Sequence, residues 1–345
     1  MNDTFREFHA FLAENSEKIR SDLIMENHSP LRKIYQGVFR KNYLSYDTEM
    51  KPVSDVSSTD SSEFVRELYN GKKLILIRGY TLYRGEIFSS FIPRVQEVSR
   101  EHVQAYLTMM MEHSEHLSLL KMIQTRSPKY ILVDGSFSGR VMRRTAKLDA
   151  DGFTGFRETY MRTMEELLEV AGKKGIPMIF ISKSSESRKF RRSLVKELRI
   201  ENPEMDVEKI PDSSDHYIVH SLAKRRGYTR PLKDIHASGT GSRTVIMTSH
   251  FVPDPYDLPL KVEFMDPRNL HVEDGDFGSI SEDILNLVFW GYGSIKSHNV
   301  WLSEVDKFVK FRSAEMENVY MKAFEKYVGV EFYETRGERR ARLRV

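Results

Sequence analysis

The chain has 345 residues, 40% of them apolar and 11% aromatic, which suffices for a sizeable packed core and excludes wholesale disorder. Charged residues reach 30% at a formal net charge of +3, so a preference for acidic or basic partners must come from clustering rather than from the total. With no cysteine, disulfides, thiolate zinc sites and cysteine nucleophiles are excluded, and any metal must be held by oxygen or histidine.

In chain order, residues 3 to 24 carry Phe5, Phe8, Phe11 and Leu12 on one helical stripe, for core or partner-helix packing. Residues 1–48 are expected to form an N-terminal helical segment suited to a dimer or partner contact. No apolar run approaches the roughly 20 residues that span a bilayer, and the mixed-charge start is unlike a signal peptide, so a cytoplasmic protein is expected. Residues 45 to 62 are polar and turn-rich. "KKLILIRGY" (72–80) and "GEIFSSFI" (85–92) read as strands joined at Arg84-Gly85. A long helix is expected from Pro93 to about Met122, a strand over 129–134, a helix over 156–173 and a buried strand over 176–183. A basic helix "SRKFRRSLVKEL", a helix at 213–226, strands at 243–249 and 259–265, and a long final helix from Trp301 follow.

Three strands, a helix, then helix-separated strands predict an α/β fold. Its core is a mixed sheet flanked by helices, of the ribonuclease H-like kind, with helical additions at both ends. Two-metal nucleases on such a core need carboxylates that converge from the first strand, the long helix, the fourth strand and a late helix. Asp134 ends the strand "YILVD" before Gly135-Ser136, where it is either a turn-former or a ligand. Glu115 has Met111 and Leu119 four residues away on either side and Met122 seven on. It thus interrupts an apolar face, where an unpaired carboxylate is costly unless something binds it. Asp306 stands beside the apolar stripe of the last helix, and His298 upstream is either a ligand or proton carrier, or a packed ring. Asp55 and Asp60 are the two candidates for the first strand, within a segment whose strand signal is weak.

With these places set, the chain resembles the NurA nuclease family of archaea. Asp55-Val56-Ser57-Ser58 matches the family's first "DGS"-like segment, with Val56 where a glycine is usual. Glu115 matches the helix position, and Asp134-Gly135-Ser136 the strand end. "IFISKSSESR", "LKVEF" and "WLSEVDKFVKF" extend the resemblance, the last with Asp306 where many members carry histidine. The resemblance implies a nuclease domain over 49–330, with Asp55, Glu115, Asp134 and Asp306 holding one or two manganese or magnesium ions and His298 in the catalytic set. It further implies 5′ to 3′ exonuclease and single-strand endonuclease activity on DNA. The setting it implies is end resection at double-strand breaks, by a homodimer seated on a hexameric HerA-type translocase. A catalytically inactive scaffold that binds DNA or the translocase is the alternative.

Phosphate contact dominates nucleic-acid affinity, so basic clusters are the second signal. Lys183, Arg188, Lys189, Arg191 and Arg192 follow the fifth strand and are the expected DNA-binding group. "AKRRGYTR" (223–230) adds a second cluster. A basic tail over 331–345 has five arginines in its last ten residues.

Overall fold

The computed structural model describes residues 3–23, 29–183, 185–210, 212–237, 243–267, 277–294, 296–329 and 332. Two helices, α1 (Asp3–Leu23) and α2 (Pro30–Lys41), precede β1 (Tyr43–Ser45), β2 (Val56–Glu67), β3 (Lys73–Tyr83) and β4 (Glu86–Gln96). Then come α3 (Val103–Thr125), β5 (Tyr130–Asp134), α4 (Phe137–Met142), α5 (Phe153–Lys173), β6 (Met178–Ser182), α6 (Lys189–Glu201) and α7 (Asp215–Leu222). β7 (Gly227–Thr229), β8 (Leu232–Ala237), β9 (Arg243–Val252), β10 (Leu260–Met265), α8 (Glu282–Gly291) and α9 (Val300–Val309) complete the core.

The strands form one sheet in the order β1-β7-β9-β10-β6-β5-β2-β3-β4, with β8 also on β9. β2, β3 and β4 are antiparallel, while β5 runs parallel to both β2 and β6. Counted from β2, five strands therefore lie 3-2-1-4-5, the ribonuclease H-like arrangement, here extended by antiparallel β10, β9, β7 and β1. Both faces are covered. Ile75 and Ile77 of β3 pack under α3 and α5, and their neighbours Leu74 and Leu76 pack against Met316 and Phe332. This explains an unbroken apolar strand where a half-exposed one would alternate.

Several elements differ from expectation. The polar segment at 45–62 holds the first half of β2, a twelve-residue strand. β4 continues through Pro93 to Gln96, and the helix starts only at Val103. Proline is tolerated there because β4 is an edge strand, whose outward N–H groups need no partner strand. The expected 213–226 helix is the eight-residue α7, which stops at Leu222, and β7 begins at Gly227. The final helix stops at Val309; a second helical stretch follows from Ser313 to Val328. Residues 1–48 are not a purely helical addition, since α2 packs on α6 and α7 and β1 pairs with β7. The phenylalanine stripe of α1 stays exposed. The basic tail lies outside the described residues except Phe332, which bridges Leu68. No helix among the described residues is long and apolar enough to cross a membrane.

Candidate metal centre

The helix α3 sits unusually close to the sheet, because small polar residues line the contact. A side chain at Gly79 of β3 would meet Ser114 backbone atoms at 2.7 Å, so only glycine admits the helix there. Ser90 donates to the Ser114 carbonyl at 2.7 Å, and Thr81, Thr59 and Ser118 join in a buried hydroxyl cluster. This seam presses the next residue, Glu115, against β2, where Ser61 donates to its Oε1 at 2.5 Å.

The strand register supplies the rest. The last parallel rung pairs Thr59 with Val133, so Asp60 and Asp134 stand side by side one step further on. β5 ends there while β2 continues to Glu67, leaving a notch in the sheet. Alternation along β2 sends Thr59 and Ser61 toward α3, and Ser58 toward α9, where it donates to the Trp301 carbonyl at 3.0 Å. Asp60 shares the face of Ser58, beside α9 and its Asp306. Burial, then the charges of Glu115, Asp134 and Asp306, push the Asp60 carboxyl up to about 8. Among the described residues no cation pairs with it.

The neighbouring carboxylates are each held by a cation. Buried Arg140 of α4 donates to Glu115 Oε2, to the Asp134 carbonyl at 2.9 Å and lies 3.0 Å from His116 Nε2. Lys310 bonds Asp306 at 2.5 Å, and Lys183 approaches Asp134 to 3.9 Å. His298 is buried, with Nε2 3.9 Å from Asp134 Oδ1 and neither ring nitrogen hydrogen-bonded among the described residues. Burial lowers its pKa to about 4, against the pull of Asp134, which leaves the ring neutral at neutral pH. The turn after Asp134 is anchored from below. Lys261 donates to the Ser136 and Ser138 hydroxyls at 3.1 and 2.8 Å, and Ser136 donates to Glu263 at 2.6 Å. Gly135 adopts φ +94°, a conformation that suits glycine.

The structure thus brings Glu115, Asp134, Asp306 and His298 to one place, and of the two first-strand candidates it sets Asp60 beside them and Asp55 apart. Asp55 precedes β2 at its far end, where its carbonyl accepts from the Lys129 backbone. Its carboxylate is taken by Tyr83 at 2.6 Å and Arg84 at 2.9 Å. Five residues of strand, about 16 Å, separate it from Asp60. Asp60 stands in a polar run with a weak strand signal, so the sequence offered it only as one of two candidates beside Asp55. Arg140, Lys261 and Glu263 gave no comparable signal, since a lone buried charge reads as surface until its partner is known. Among the described residues no group of three or more His, Asp or Glu side chains is arranged to hold a metal ion.

The expected DNA-binding group divides. Lys183 and Arg192 are exposed, whereas Arg188 and Arg191 pair with Asp212 at 2.6 and 3.4 Å and Lys189 with Asp234 at 2.5 Å.

A family profile described as the NurA domain matches residues 54–311. The chain belongs to the NurA family. Among solved structures it is similar to the NurA nuclease from Sulfolobus solfataricus, with a TM-score of 0.61 and 16% identity over 95% of this chain and 99% of that one. A NurA bound to dAMP and manganese gives 0.55 and 11%, over 97% of this chain and 98% of that one. A comparison with curated proteins finds no match. At these identities the solved structures establish the NurA fold. The matched region contains every residue of the notch described above.

Proposed function

We propose that the protein is a divalent-metal-dependent deoxyribonuclease whose centre is the sheet notch. Asp60, Glu115, Asp134 and Asp306 would hold one or two manganese or magnesium ions. The observation that carries this reading is Asp60, a carboxylate set among three others with no cation of its own. Such a cluster fits a divalent ion, because hard cations take several oxygen ligands and offset the burial and neighbouring negative charge that raise the Asp60 pKa. The unpartnered nitrogens of His298 fit the same interpretation. A bound ion would supply Lewis acidity, lower the pKa of a coordinated water and neutralise phosphoryl charge.

The chain's own groups take definite parts. Arg140 holds Glu115 and the end of β5 in one geometry. Neutral His298 accepts a proton beside Asp134, and exposed Lys183 with Arg192 contacts the DNA backbone. NurA membership supports the finer assignment: 5′ to 3′ exonuclease and single-strand endonuclease action in end resection, as a homodimer with a HerA-type translocase. The description of one similar structure as bound to dAMP and manganese agrees with DNA and manganese as ligands.

The test is cleavage of labelled single- and double-stranded DNA with manganese or magnesium, wild type beside Asp134→Asn. Loss of cleavage with an unchanged thermal melt is expected, and a fully active variant would sink the site. A wild type that binds DNA uncleaved, with no manganese binding by calorimetry, returns the scaffold reading.

A further inference from the structure

The second basic cluster of the sequence resolves into two halves with different environments. Arg226 donates to the Tyr46 carbonyl at 2.7 Å and lies over Tyr46 and Phe289, and Arg230 lies over Phe277 at 4.2 Å. Both are used by the fold. Lys224 and Arg225 turn the other way, into a groove of about 420 Å³ between α2, the end of α7 and the β1–β7 edge. Arg32 and Arg40 of α2 line its other side, with Gln36 and Ser45 between. Among the described residues no carboxylate lines it. Lys224, Arg225 and Arg40 are exposed, and none of the three forms an ion pair among the described residues. The α6 cations offer the contrast, three of them being neutralised by Asp212 and Asp234.

The groove is also rigid. Phe39 and Tyr43 stack at 5.1 Å along its wall, and the Tyr43 hydroxyl donates to the Arg225 carbonyl at 2.6 Å. A side chain at Gly227 would collide with the Leu44 carbonyl and the Tyr43 ring, so glycine there lets the β1–β7 ladder close. The cations therefore project from a fixed frame.

We propose that this groove is a second polyanion site, which holds the sugar–phosphate backbone of a single nucleic-acid strand. It rests on the reading of the protein as one that acts on nucleic acid, and places a holding site apart from the notch. Five strand spacings separate β1 from β5, roughly 24 Å. Unpaired cations that converge without a carboxylate suit consecutive phosphates, the feature that dominates affinity for nucleic acid. A concave groove of this volume admits one strand and not a duplex, and a basic groove that tracks a backbone is how single strands are held without sequence preference. A strand seated there and cut at the notch would be retained between cuts.

The experiment is fluorescence anisotropy of a labelled oligodeoxythymidylate on the full chain in EDTA, over a salt series. The variant is Arg40→Gln/Lys224→Gln/Arg225→Gln, all at exposed positions. Expected are about tenfold weaker binding and a salt slope shallower by about 2, the loss of three single-strand phosphate contacts. A control that removes three exposed cations elsewhere, Arg100→Gln/Arg162→Gln/Arg199→Gln, retains the wild-type slope. Unchanged binding by the groove variant, or an equal loss in the control, would overturn the proposal. So would a groove variant that loses binding to polyglutamate but not to the oligonucleotide, which identifies an acidic protein as the occupant. Hydrolysis of bis(p-nitrophenyl) phosphate with manganese is unchanged by the groove variant. Because that readout needs only the notch, a wild type inactive on it counts against the nuclease reading and leaves the binding result standing on its own.

Discussion

Asp60 and Asp55 are five residues apart on one segment and have opposite circumstances. Asp55 is an exposed-side partner of Arg84 and Tyr83, and a surface pair of this kind contributes about 1 kcal/mol or less. Asp55→Asn should therefore leave cleavage and metal binding intact and lower stability only slightly by chemical denaturation. Asp60→Asn should do the reverse. It removes a carboxyl whose charged form is disfavoured by burial and by three neighbouring carboxylates and which is proposed to hold the metal, so DNA cleavage and manganese binding should be lost. The metal-free protein should meanwhile melt higher at neutral pH, by roughly 1–2 °C for each kcal/mol relieved. A lower melting temperature for Asp60→Asn, measured by calorimetry in EDTA, would contradict the cost of burying this carboxyl among three others. Arg140 is the complementary case, a guanidinium only 2% exposed beside a buried glutamate. Arg140→Ala should cost about 3–5 kcal/mol of unfolding free energy, because it strands the Glu115 charge.

At the scale of elements, the centre exists because a helix lies unusually close to a sheet. The apolar spacing of α3 was legible in the sequence, as was the strand that ends on Asp134. The polar strand β2 was not, because Thr59 and Ser61 face Ser118 and Glu115 of α3 and Ser58 faces the α9 backbone, polar partners that leave no alternating apolar signal. Gly79 is where this contact is most exposed to test. Gly79→Ala should destabilise by about 1–3 kcal/mol, the range for overpacking, and should slow cleavage by lifting Glu115 off β2. A variant with wild-type denaturation midpoint and rate would show that α3 has slack at this point.

For the whole molecule, the sheet's extension past β6 adds buried groups that a minimal core lacks, and one of them sets an acid limit. His250 of β9 is enclosed by Phe190, His216 of α7 and Lys261 of β10, and among the described residues no acidic group lies against its ring and its Nε2 has no partner. Burial first, then His216 and Lys261, lower its pKa to about 3. Its folded pKa lies below the ordinary 6.5, so the unfolded chain binds the extra proton. The contribution is intact above about pH 6.5 and is lost as pH falls from there toward 3, at up to about 1.4 kcal/mol per pH unit. His250→Leu should flatten the fall in unfolding free energy measured between pH 6.5 and 5; an identical slope would place the acid sensitivity elsewhere.

Hydrophobic period and element order, which are local properties, let the sequence alone determine the ribonuclease H-like core. They also determined two of the carboxylates in the notch, Glu115 and Asp134, through the faces and strand ends they occupy. Only the tertiary structure decided that Asp60 rather than Asp55 joins them, because a parallel register of β2 on β5 is set by the whole sheet. Only it, too, distinguished the basic clusters. Whether a cation is free to meet phosphate depends on whether the fold brings it a carboxylate, and Asp212 and Asp234 reach α6 from distant segments. The equally basic groove at Arg40, Lys224 and Arg225 receives none among the described residues.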